Sequence, residues 1–184
     1  MARNTISRSL HDLGLSAWFG GTLANAVSLN TAAAEGGNST DRGAVANAGW
    51  DRWTPVNAAA IGAHLAGSVG QLMGNKGRIA GQQGVASMTA TKTALTAAAL
   101  GVTAYSRYLG KKVSQERAMP VASGTQPETA TPPPVAAAQR QLQMLQWAVP
   151  ALTGALVVVS SFAGEQQRAS EARGGVIKRL LPMS

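Results

Sequence analysis

The chain has 184 residues, a formal net charge of +8 and only 13% charged residues, and it contains no cysteine. Alanine accounts for 35 residues and glycine for 21, whereas aromatic residues make up 4%. Small side chains give a water-soluble core little apolar area, but they let helices approach closely in a membrane. The lack of cysteine excludes disulfides, thiolate metal sites and cysteine nucleophiles.

The first apolar stretch covers residues 13–33 and follows Arg3 and Arg8. We expect a retained first membrane span, because Asn25 and Asn30 suit a helix that packs on protein better than a simple signal. A secretory signal with a small-residue exit at 32–34 is one alternative, and a helix lying in the membrane interface is another.

The second apolar stretch covers residues 54–74, with Pro55 at the expected helix start and a basic turn at 75–78. Small residues recur in it at four-residue spacing, which places them on one side of a helix. We predict that this side packs against another helix, in this chain or in a partner. The predicted packing face consists of Ala59, Gly62, Ala63, Ala66, Gly67, Gly70 and Gly74.

His64 lies near the middle of the second stretch. An ionisable side chain at that depth is a functional candidate, as a proton relay or a cofactor ligand. The interpretation that we favour is a neutral imidazole bonded to a neighbouring helix, because the only other histidine, His11, precedes the first span. Other polar residues are predicted to make similar interhelical hydrogen bonds: Asn25, Asn30, Gln71, Thr96 and Ser160.

The third apolar stretch covers residues 88–109, and Lys92 near its start is expected to reach the membrane interface. Residues 114–138 hold five of the eight prolines, which predicts a flexible linker. The clearest span is residues 147–164, which carry no charge. Their length approaches the roughly 20 apolar residues that a helix needs to cross a hydrocarbon core of ~30 Å.

The tail after this span is basic and is predicted to contact anionic lipid, with a solvated tail as the alternative. The lipid-facing residues are predicted to be Arg168, Arg173, Lys178 and Arg179.

These patterns predict an all-α polytopic membrane bundle of about four spans in the plasma membrane. The predicted regions are a three-span part at 1–113, the Pro-rich linker at 114–138 and the fourth span with its tail at 139–184. No catalytic, cofactor-binding or metal-binding constellation is found, so the expectation is a non-enzymatic protein without a cofactor. Nucleic acid is disfavoured as a partner because the basic residues lie between apolar runs and not in one stripe.

At residues 10–30, 50–67 and 92–107 the chain resembles a family of small Ala/Gly-rich membrane proteins of high-GC Gram-positive bacteria. The resemblance covers about the first 110 residues. Proteins of this type are associated with accessory subunits of the actinobacterial cytochrome bcc–aa3 respiratory supercomplex. The resemblance therefore implies a structural role without a redox centre and partners among other membrane subunits.

The expected function is thus that of a membrane accessory subunit that packs against a larger complex. The alternative is a small transporter or channel with His64 near the path. A third interpretation is a soluble or peripheral nucleic-acid binder, on the strength of the net charge alone.

Overall fold

The computed structural model describes residues 4–115 and 119–165, and the regular structure in these ranges is helical, which confirms the all-α prediction. The predicted lipid-facing tail residues Arg168, Arg173, Lys178 and Arg179 lie outside the described residues. Four helices are long: α1 (Thr5–Ala24), α3 (Ser39–Gly74), α5 (Val85–Ser114) and α6 (Pro133–Glu165). Two are short: α2 (Asn30–Ala32) and α4 (Lys76–Gly81). A π-helical turn (Asn25–Leu29) and a 3₁₀ turn (Ala33–Glu35) flank α2.

Helix α3 begins much earlier than the span predicted at 54–74. Asn38 caps it, because its side-chain oxygen accepts a hydrogen bond of 2.9 Å from the backbone N–H of Asp41. The Asp41 carboxylate in the first turn also stabilises the helix, because its negative charge lies near the positive end of the helix dipole. The helix then continues through Pro55, so residues 39–53, which precede the predicted span, are helical as well.

The four long helices form two antiparallel hairpins. Helix α1 packs extensively on α3, α5 packs extensively on α6, and contacts between α1 and α6 join the two pairs. Helices α3 and α5 make few contacts, and we call the space between them the α3–α5 seam. At the centre, the fully buried Trp18 packs with Ala60, Ala99 and Val149, so every long helix contributes to the core.

The Pro-rich region is compact where the structure describes it. Val121 is buried, and its backbone N–H donates a hydrogen bond of 3.2 Å to the carbonyl of Ser39. The Thr131 hydroxyl donates to the carbonyl of Pro120 at 2.6 Å, which closes the loop on itself. Helix α6 starts at Pro133, inside the predicted linker, because proline is tolerated in a first helical turn.

Within the described ranges, α6 is the one helix that is long and apolar enough to cross a membrane. Only 22% of its most apolar stretch is buried inside the protein. Helices α3 and α5 contain the second and third predicted spans, but neither meets the same length and hydropathy criteria. The first predicted span, 13–33, extends beyond the end of α1 at Ala24 into the π-helical turn, α2 and the 3₁₀ turn.

Candidate functional site

Glycines bring the backbones of α1 and α3 into direct contact. A Cβ atom added at Gly14 would collide with the carbonyl of Ala60 and the backbone of His64. A Cβ atom added at Gly67 would collide with the backbones of Ser7 and His11. The interface is therefore closest where each histidine stands opposite a glycine of the other helix.

The predicted packing face divides into two parts. Gly67, Gly70 and Gly74 lie against α1, where a side chain at Gly70 would strike Ser7 and one at Gly74 would strike the Asn4 side chain. The other members turn away from α1: Ala59, Gly62 and Ala66 are exposed, and Ala63 is half-buried. A Cβ added at Gly62 would enter open space.

His11 and His64 form a buried pair at this interface. Their ring centroids are 4.5 Å apart and the rings are tilted by 47°. His11 is 1% exposed and His64 is 0% exposed. Sequence reasoning missed His11 because it precedes the predicted first span. The signal that could have found it is the spacing of His11, Gly14 and Trp18, which puts all three on one side of α1.

His64 bonds to both of its neighbouring helices. Its Nδ1 lies 3.4 Å from the carbonyl oxygen of His11, and its Nε2 lies 3.4 Å from the hydroxyl of Thr96 on α5. A carbonyl only accepts, so Nδ1 carries the proton, and in the neutral ring Nε2 accepts from Thr96. His64 therefore links three helices at the centre of the bundle.

His11 has a different set of surroundings. Its Nδ1 donates to the Asp12 carboxylate at 2.7 Å, and its Nε2 has no hydrogen-bond partner among the described residues. His11 lines a cavity of about 270 Å³, which we call the polar cavity. Gln71 and Ser160 also line this cavity, and the Gln71 Nε2 and the Ser160 hydroxyl likewise have no partner within the described ranges.

A second cavity of about 390 Å³ adjoins the first and runs along the α3–α5 seam; we call it the apolar groove. Gln71, Lys92 and Ala163 line both cavities. Arg78 stands at the groove, where its Nη2 donates to the Gln82 side-chain oxygen at 2.9 Å.

Positive charge is concentrated where the two cavities lie, at the end of the bundle where α1 and α5 begin and α3 ends. Arg8, Lys76, Arg78 and Lys92 are at this end, which we call the basic end. Burial lowers the pKa of Arg78, and the nearby positive charge of Arg8 lowers it further. An anion at the basic end would relieve this repulsion.

Asn30 organises the opposite end of the bundle. Its side chain accepts a hydrogen bond of 2.9 Å from the Trp50 indole and donates one of 2.8 Å to Gln146 on α6. These are the interhelical hydrogen bonds that the sequence predicts for Asn30. Nearby, Arg107 on α5 donates to Asp51 on α3 at 3.3 Å and bridges the α3–α5 seam.

Comparison of the chain with protein-family models, with curated proteins and with solved structures gave no significant match. In residues 4–115 and 119–165, no group of three or more histidine, aspartate or glutamate side chains is placed to hold a metal ion. The site therefore consists of the histidine pair, the polar cavity and the apolar groove.

Proposed function

We propose that this protein is a non-enzymatic, multi-pass protein of the plasma membrane, in which all four long helices lie within the bilayer. The observation that carries this proposal is the exposure of α6. Its most apolar stretch is only 22% buried, and Phe162 is 60% exposed. A water-soluble protein places its most apolar helix in the core, because water contact with such a surface is unfavourable.

The other long helices also present large apolar side chains at the surface. Val56, Val69 and Met73 are exposed on α3, and Tyr105 and Tyr108 are exposed on α5. Lipid tails around the bundle would cover these residues. The close glycine contacts between α1 and α3 are the kind of packing that holds helices together in a membrane.

We propose further that the protein is an accessory subunit of a larger membrane complex. The exposed part of the packing face, made of Ala59, Gly62 and Ala66, is smooth enough for a partner helix to approach closely. The resemblance of the first 110 residues to an actinobacterial membrane family extends this proposal to a respiratory complex as the partner.

Two experiments test this function. Membranes that contain the tagged chain are washed with alkaline carbonate, and we expect the chain to stay in the pellet until detergent is added. The chain is then purified from native membranes in mild detergent, and its partners are identified by mass spectrometry. We expect other membrane subunits to accompany it.

Gly62→Leu tests the proposed partner surface, and Gly101→Leu, at an exposed glycine on α5, is its matched control. We expect Gly62→Leu to lose the partner and Gly101→Leu to keep it. A chain that stays monodisperse in buffer without detergent would contradict the membrane proposal. Equal recovery of the partner by both variants would contradict the proposed surface.

A further inference from the structure

The polar cavity offers a set of hydrogen-bonding groups that the described part of the chain does not use. The His11 Nε2, the Gln71 Nε2 and the Ser160 hydroxyl are buried atoms without a partner there. The residues that carry these atoms line the cavity, so polar groups that lack a partner lie beside any ligand bound there.

The charges around this cavity favour an anion. Arg8 and Lys92 are the cations among its lining residues, and Asp12 is the one acid. Lys92 is half-buried, so its ammonium group is only partly hydrated. A phosphate next to Lys92 would form a charge-assisted hydrogen bond of the stronger kind.

The apolar groove continues from this polar cavity and is long enough for most of one acyl chain. From Lys92, which lines both cavities, to Leu100 its lining on α5 covers about 12 Å at 1.5 Å per residue. One leaflet of a hydrocarbon core is about 15 Å deep, half of the full thickness. The groove therefore runs from the basic end toward the middle of the bilayer.

We propose that the polar cavity and the apolar groove together bind one anionic phospholipid whose headgroup carries hydroxyl groups. The phosphate lies at Lys92, and one acyl chain lies along the α3–α5 seam. The headgroup hydroxyls lie beside the His11 and Gln71 side chains, whose unpaired nitrogens are buried at the cavity wall. This inference rests on the proposed membrane location.

Charge decides between a lipid and the basic tail of this chain as the occupant. The tail brings Lys178 and Arg179 together with apolar residues, so it could supply an apolar segment but would add positive charge. Like charges at Arg78 and Lys92 would repel it. An anionic lipid supplies the apolar chain and the opposite charge together.

The experiment uses the full chain purified in mild detergent and delipidated. Phosphatidylglycerol is titrated in, and bound lipid is counted by native mass spectrometry. Parallel titrations use phosphatidylcholine and inorganic phosphate. We expect one tightly bound phosphatidylglycerol per chain, with affinity at least about ten-fold above that for phosphatidylcholine, because a charge-assisted hydrogen bond is worth more than the 1.4 kcal/mol of a ten-fold change.

Two matched pairs of variants locate the binding. Lys92→Gln should weaken phosphatidylglycerol binding at least about ten-fold, while Lys76→Gln, which removes the same charge at the basic end without lining either cavity, should change it less than about two-fold. Ala97→Phe should fill the groove and displace the lipid. Ala98→Phe, at an exposed neighbour outside the groove, should not.

Equal binding of phosphatidylcholine and phosphatidylglycerol overturns the inference, as does equal behaviour within either pair of variants. Inorganic phosphate could instead saturate the site and block lipid binding. That result would show a site for a free anion, with no need of an acyl chain, and would also overturn the inference. Failure of lipid binding in a chain that still requires detergent refutes this inference alone, because the membrane proposal then stands.

Discussion

His11 and His64 face each other across the α1–α3 interface with ring centroids 4.5 Å apart, although 53 positions separate them in sequence. The approach is possible because Gly14 stands opposite the His64 backbone and Gly67 stands opposite the His11 backbone. Each histidine thus depends on a glycine in the other helix. His64 bonds to its neighbouring helices at the centre of the bundle, while His11 lines the polar cavity and its Nε2 has no partner among the described residues.

Gly67→Leu should destabilise the bundle by about 3 kcal/mol, because a side chain at this position must push α1 away from α3. The measurement is thermal unfolding in detergent, followed by circular dichroism. Gly62→Leu is the control, since its side chain enters open space. Equal melting temperatures for the two variants would show that the helices do not pack in this way.

His64→Leu should cost about 1–3 kcal/mol of stability, because the Thr96 hydroxyl and the His11 carbonyl lose a buried partner. The same variant separates the structural role from the channel alternative. We expect vesicles that contain either form to show the same proton permeability. A flux that is present in the wild type and lost in His64→Leu would favour the channel.

Asn30→Ala should destabilise the opposite end by about 1–3 kcal/mol, because the Trp50 indole and the Gln146 side chain lose a shared partner. Asn25→Ala, one turn away and only half-buried, is the control and should have a smaller effect. Chemical denaturation monitored by tryptophan fluorescence measures both. The prediction is wrong if the two asparagine variants unfold at the same denaturant concentration.

Tryptophan fluorescence can also report which side chains meet lipid. Trp147 on α6 is 50% exposed, whereas Trp18 on α1 is 0% exposed. Variants that retain only one of these tryptophans are placed in vesicles of brominated lipid. Quenching should be strong for Trp147 and weak for Trp18. Similar quenching of both would argue against lipid at the surface of α6.

Some features of the fold follow from local sequence. The helical class follows from long runs of alanine and other good helix formers. The uncharged run at 147–164 lies in α6, which in residues 4–115 and 119–165 is the one helix long and apolar enough to cross a membrane. The apolar pattern did not predict where the helices begin and end. Helix α3, for example, starts at Ser39, where Asn38 caps it, and continues through Pro55. A flexible linker was predicted from the prolines, yet buried Val121 and the Thr131 hydrogen bonds pack the described part of that region.

The amino-acid sequence alone determined the helical class and the small-residue side of the second apolar stretch, because helix propensity and four-residue spacing are local properties of the chain. It also identified His64 and Asn30 as buried polar candidates. Only the tertiary structure decided that His11 would meet His64, that Gly67 would face α1 while Gly62 would not, and that Lys92 would join a polar cavity to an apolar groove. These relationships depend on the rotation and pairing of helices, which distant parts of the chain fix together.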